Sequence, residues 1–225
     1  MTGTKIIKLR LDDGGVADRL PQLKDNALDE VVEKAVGLFE RTEMPREWEE
    51  GFSPGWSEEP WNYKKIILEE GKKLDVTPSQ LQLILTSLES RFPDEEGFGE
   101  RLGIFLTALI EGSTHEEFTL RPTTLLSDFG YQLEADKNIT VEGDVGDNNF
   151  YRVKKAKIHV KGNAGDEIGH DLDGGHILID GDCGEGCGRR MKKGKIEVGG
   201  KIENTYGCAR YGGQVWEKGK KVYPL

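Results

Sequence analysis

Gly162-Asn163-Ala164-Gly165-Asp166 recurs nineteen residues on as Gly181-Asp182-Cys183-Gly184-Glu185. The same step leads back to Gly143-Asp144-Val145-Gly146-Asp147 and forward to a decayed Gly200-Lys201-Ile202-Glu203-Asn204. It also carries Ile139 to Ile158, Ile177, Ile196 and Val215. A fixed period means a stack of like units. Within a unit, the pairs Ile139/Val141, Ile158/Val160, Ile177/Ile179 and Ile196/Val198 flank one outward residue, which is the two-residue period of a strand. Each unit therefore opens with a strand.

After the strand come Gly with Asp or Asn, a small inward residue (Val145, Ala164, Cys183), Gly-Asp, an apolar position (Ile168, Cys187, Tyr206) and a larger one (Leu172, Met191). Turn formers such as Gly174-Gly175 and Gly212-Gly213 close the unit. Three short extended pieces and three turns make one coil of a parallel β-helix, whose equivalent residues stack about 4.8 Å apart. The inward columns are the expected core.

The run Gly162 to Gly169, closed by Leu172, Gly174-Gly175 and Ile177-x-Ile179, resembles a repeat of the GXGXG β-helix domain. That family includes the C-terminal domain of glutamate synthase large subunits and one of the subunits of formylmethanofuran dehydrogenases. Residues 181–198 repeat the pattern with Cys183, Gly184, Gly188, Met191 and Gly194 in place, and the resemblance spans about 137–216. The sequence departs from it at Asn149-Phe150, where an apolar residue and Gly are expected, and at Ile202-Glu203-Asn204, where small-Gly-Asp is expected. It also has fewer coils than the family. The resemblance implies a structural scaffold and transfers no catalytic residue.

The fold class expected is α+β: a helical N-terminal region followed by a short right-handed parallel β-helix of four to five coils with a 19-residue repeat. The division is 1–118 acidic and mainly helical, 119–136 a junction, and 137–225 a GXGXG-like β-helix with a C-terminal cap. Lys5 to Leu11 reads as a short strand ended by Asp12-Asp13-Gly14-Gly15. Leu28, Val31, Val32, Ala35, Leu38 and Phe39 take helical spacing and should stop before Pro45. A second helix is expected over about 60–71. Thr77-Pro78-Ser79-Gln80 offers an N-cap, Pro at the first helical position and a capping-box Gln. A fourth helix runs from Phe98 to Gly112 with an apolar stripe that must face another helix or the end of the β-helix. A solenoid exposes its core at both ends. The helices should therefore cover the first coil, and the tail from Gln214 to Pro224 should fold over the last.

The sequence has 225 residues and a net charge of -10, unevenly placed: residues 1–136 hold 15 basic and 28 acidic side chains, leaving 16 and 13 for 137–225. The first part is about -13 and the second about +3 by that count. An acidic front and a nearly balanced back offer no obvious phosphate track, so no nucleic-acid partner is expected. No apolar run approaches eighteen residues and no charged-then-apolar leader follows Met1, so neither a membrane partner nor export is expected. Three cysteines without a disulfide framework favour a reducing, cytoplasmic setting.

Candidate chemistry is thin. Cys183, Cys187 and Cys208 with His159, His170 and His176 are the residue types that bind zinc. The repeat register, however, sets Cys183 and Cys187 in inward columns, and puts Cys208 two coils, about 9.6 Å, from His170. No metal site is expected. The columns Asp147/Asp166/Glu185 and Asp144/Asn163/Asp182 could hold calcium, but Asx-type turns at a corner explain their recurrence better. No nucleophile elbow, Walker loop or Rossmann fingerprint occurs, and Asp173, His176, Lys157 and Lys195 are only loose candidates for acid and base. No catalytic residue and no cofactor are therefore assigned.

The function expected is a non-catalytic scaffold or assembly module, with an accessory subunit of an oxidoreductase or amidotransferase complex as the role the resemblance suggests. Its partner would be another protein or another copy of itself. The outward column Thr140, His159, Leu178, Glu197 and Trp216 is one candidate surface. A Pro-, Gly-, Glu- and Trp-rich stretch over 44–62, with Trp48, Trp56 and Trp61, is the other. Those indoles could equally pin their loop to the domain. The alternative function is an enzyme or ligand-binding protein with its site where helices and β-helix meet.

Overall fold

A computed structural model describes residues 26–42, 59–92, 96–205 and 207–223, with side chains described outside 26–29 and 59–61. The expected strand at Lys5 to Leu11 lies outside them, as do Trp48, Trp56 and Tyr206. Trp61 belongs to a described helix, but its side chain is outside the described part.

Among the described residues four helices come first: α1 (Asn26–Arg41), α2 (Glu59–Gly71), α3 (Pro78–Arg91) and α4 (Phe98–Gly112). The start of α3 follows its sequence signal. Thr77 Oγ1 accepts from Gln80 N at 3.3 Å and Gln80 Oε1 accepts from Thr77 N at 2.8 Å, so two orphan donors of the first turn are satisfied. The aromatic rings of Phe39, Phe92, Phe98 and Phe105 join α1 to α4 through centroid distances of 5.1 to 6.0 Å.

A parallel β-solenoid of about five turns follows. Its strands β1 (Glu117–Leu120), β2 (Asn138–Val141), β3 (Lys157–Val160), β4 (Asp173–Ile179), β6 (Lys193–Val198) and β8 (Gln214–Glu217) stack in parallel in that order. Between β4 and β6 lies β5 (Cys183–Glu185), paired in parallel with β7 (Ile202–Asn204) on a second, two-stranded sheet. The pairing runs Ile139 to Ile158 to Ile177 to Ile196 to Val215, the nineteen-residue step of the repeat. All five side chains are buried, as are Val145, Ala164, Cys183 and Ile202 in the small-residue column. Ile202-Glu203-Asn204, which departs from the repeat, still pairs Ile202 with Cys183. An inward apolar side chain is what this position needs, and Ile supplies it.

The stack starts earlier than the repeated motif. Glu117 pairs with Asn138 and Leu120 with Val141, a step of 21 residues, so most of 119–136 belongs to a first coil of its own length. Asn149 explains one departure from the repeat. Fully buried, it donates to the carbonyls of Leu126 at 2.8 Å and Gly146 at 2.7 Å, and accepts from Phe129 N at 2.7 Å. It thus ties the regular coils to the irregular first one, with Phe150 stacked edge-on to Phe129.

The Asp and Asn columns accept from backbone, but the donor is not in their own turn. Asp144 Oδ1 takes Asn163 N (2.7 Å), Asn163 Oδ1 takes Asp182 N (2.9 Å) and Asp182 Oδ1 takes Lys201 N (2.7 Å). A second ladder runs from Asp147 to Asp166 N and from Asp166 to Glu185 N, both 2.8 Å. Each side chain reaches nineteen residues ahead, which corrects the expected Asx turns. The recurring Gly has the same cause: a Cβ on Gly184 would lie 2.1 Å from Asp166 Oδ1.

Helices close one end of the solenoid, as expected. On α4, Gly103 has no room for a Cβ, which would meet Ser127 O at 2.0 Å, and Thr107 Oγ1 accepts from Gly130 N at 2.7 Å. On α3, Gln82 Oε1 accepts from Arg121 N (2.8 Å), and Glu89 Oε1 accepts from Thr123 N (2.6 Å) and Thr124 N (2.9 Å). At the other end the tail covers the last coil, as expected: β9 (Lys220–Tyr223) turns back through Lys218-Gly219, both at positive φ, pairs antiparallel with the free edge of β8, and packs Val222 and Tyr223 against the core.

Candidate interaction surface

Strand alternation puts Thr140, His159, Leu178, Glu197 and Trp216 in one outward column, one residue per coil, with partners in direct register. Asn138, Lys157, His176, Lys195 and Gln214 form the column beside it. Both stand on one face of the seven-stranded sheet. His159, Leu178, Glu197 and Trp216 are each half-buried, because neighbours lean on them.

The two columns are stitched together by His176 Nε2, which meets Glu197 Oε1 at 2.7 Å, while His159 Nε2 meets Asp180 Oδ1, just beyond the strand, at 2.8 Å. Lys195 Nζ lies 2.8 Å from Glu197 Oε1 and 4.8 Å from the centre of the Trp216 ring, a cation–π distance. Trp216 Nε1 donates to Gln214 Oε1 at 3.2 Å. Bonding from Lys195, and then from His176, holds the Glu197 carboxyl below its ordinary value. The polar side chains of this face thus find partners within it. Of the loose acid-base candidates, Lys157, His176 and Lys195 share one column, and Asp173 is 3.8 Å from Lys193.

The cysteines are packing residues. Cys183, Cys187 and Cys208 are free and buried, and no described group of three or more His, Cys, Asp or Glu could hold a metal. Hydrogen bonding to Cys183, then burial, pushes the Cys187 thiol well up, and burial pushes Cys208 up to about 11. Thiols so placed are poor nucleophiles at neutral pH.

One cluster was missed in the sequence. Asp171, only 2% exposed, faces cations from the coils on either side: Arg152 Nη2 at 3.8 Å, Arg190 Nε at 3.5 Å and Lys192 Nζ at 3.7 Å. Beside it, His170 Nδ1 lies 3.3 Å from Glu167, which pairs with Arg189 at 2.7 Å. Burial lowers the His170 pKa. Tyr131, Tyr151 and His170 stack along this corner with centroids 5.2 and 5.7 Å apart. Reading positions 152, 171 and 190 vertically as Arg, Asp, Arg was the available signal.

The meeting of helices and solenoid is filled by polar groups serving the fold. Lys64, fully buried, donates to Gln132 O at 2.7 Å and pairs with Glu111, and burial lowers its pKa. Within the helical region, Arg101 of α4 donates to the carbonyls of Phe39 and Thr42 at the end of α1. Asp128 is 1% exposed, and its Oδ1 has no hydrogen-bond partner among the described residues. Burial, with Glu100 and Asp147 nearby, pushes its carboxyl well above the ordinary range.

No family model, no curated protein and no solved structure matches the chain.

Proposed function

We propose that the chain is a non-catalytic assembly module that presents the outward face of its solenoid to another protein. The observation that carries this reading is the registered column His159, Leu178, Glu197 and Trp216, held in place by the bonds of His176, Lys195 and Gln214. A surface already fixed by its own contacts has little side-chain entropy left to lose when a partner arrives. Its half-buried Trp and Leu supply the apolar centre, and charged neighbours supply the rim. Lys64 at the helix–solenoid boundary is engaged with the carbonyl of Gln132 and with Glu111, which favours assembly over a ligand site around it.

The resemblance of the repeats to the GXGXG domain adds a role as accessory subunit of an oxidoreductase or amidotransferase complex in the cytoplasm. Neither nucleic acid nor membrane is part of the proposal. No described helix is long and apolar enough to cross a bilayer.

The test is Leu178→Asp with Trp216→Asp, followed by light scattering and by pull-down from the native extract. The expected outcome is loss of association at unchanged circular dichroism, by at least tenfold in Kd. Unchanged association would remove this face from consideration.

A further inference from the structure

The solenoid's charge of about +3 conceals two opposed strips. The chain segments 151–157, 170–176, 189–195 and 208–214 occupy the same part of successive coils. They hold ten lysines and arginines against two aspartates, a formal +8. The segments 142–150, 161–169, 180–188 and 199–207 occupy the part just before. They hold nine carboxylates against two lysines, a formal -7. On the basic strip Arg152, Lys155, Lys157 and Lys193 are exposed; on the acidic strip Asp144, Asp166, Glu185 and Glu203 are.

Some of this charge is neutralised locally. Glu134 pairs with Lys154, Glu167 with Arg189 and Glu197 with Lys195, and counting these three against the strip still leaves it at +5. The coil register makes each strip a set of rows: the basic charge is concentrated in 151–157 and 189–195 and the acidic charge in 142–150 and 180–188, so both repeat every two coils, about 9.6 Å. Opposite sign and matching pitch are the two conditions for one strip to lie along the other.

We infer that the partner of the basic strip is the acidic strip of a second copy of this chain, so that solenoids associate flank to flank. This rests on the assembly reading and names a partner for it. The contact is heterologous, since two different surfaces meet, and a third copy can therefore join a pair. Complementary rows of charge fix register and orientation more than they add affinity.

The charge pattern gives association an uncommon salt dependence. At about 10 mM salt the Debye length is about 30 Å, and the net charge of -10 keeps copies apart. At about 0.1 M the length is about 10 Å, which screens that repulsion but leaves contacting rows their attraction. At about 1 M it is about 3 Å and the rows are screened too. Weight-average mass by light scattering should therefore peak near the middle condition.

Two variants test the surfaces themselves. K155E/K157E damages the basic strip and leaves the acidic one; E185K/E203K does the reverse. Each alone should stay at the monomer mass of 25.1 kDa. Mixed in equal amounts, they should form a heterodimer of about twice that mass and nothing larger, because only one good strip remains on each. A wild-type chain that is monomeric in all three salts overturns the inference, as does a mixture that stays monomeric. A monomer that captures a labelled single-stranded oligonucleotide through the basic strip also overturns it. If Leu178→Asp with Trp216→Asp abolishes assembly while both strip variants still assemble, the assembly reading stands and the flank contact falls.

Discussion

At the scale of single residues, the recurring glycines and carboxylates act as one device. Asp166 reaches up to the N–H of Glu185, and Gly184 leaves the space through which that oxygen passes. Gly184→Ala should cost about 2–4 kcal/mol, the sum of overpacking and a strained charge-assisted hydrogen bond. In urea unfolding, Gly184→Ala with Asp166→Ala should lose at least about 1 kcal/mol less than the two singles added. Full recovery is not expected, since the new Cβ also meets Gly165 backbone at 2.9 Å. Asp128 yields a pH-dependent prediction. Its folded pKa is raised, so burial of its carboxylate destabilises the protein increasingly as pH climbs from about 4, the unfolded value, to the folded value, and by a constant amount above that. Asp128→Asn should be more stable than wild type at pH 7, with the gap closing near about pH 4. Denaturation curves at several pH values measure that gap; equal stabilities at pH 7 would show that the carboxyl is not desolvated as described.

At the scale of elements, the order and type of the described helices and repeat strands were legible because each has a local cause. Thr77-Pro78-Ser79-Gln80 writes a helix start, and Ile177-x-Ile179 writes a strand. What was not legible depended on contacts between distant segments. The first coil steps by 21 residues and lacks the Gly-Asp motif, because its outer edge is satisfied by helices rather than by another coil. The ladder bonds were hidden as well, since an Asp in a turn looks the same whether it serves its own backbone or the next coil's. The helical cap is testable locally. Gln82→Ala with Glu89→Ala should speed amide exchange at Arg121, Thr123 and Thr124 by about tenfold, the factor for about 1.4 kcal/mol. Exchange at Ile177 and Ile196 should not change, because those amides lie inside the stack.

At the scale of the whole molecule, one continuous core joins Phe39 of the first helix to Val215 of the last coil's sheet. The sequence placed the outward column correctly, since a fixed period makes every column readable. It hid the charge strips, because summing charge along the chain averages over faces that the coil separates. The far end of the solenoid carries a final consequence. Lys201 stands where an Asp would offer its oxygen onward, Glu217 accepts Ile202 N at 2.8 Å, and Lys220 and Lys221 line the reversed edge strand. Helices shut the opposite end. With helices over one tip and a lysine-bearing reversed strand over the other, the flank contact inferred above would gather copies side by side, as a raft rather than as a thread of end-joined rods.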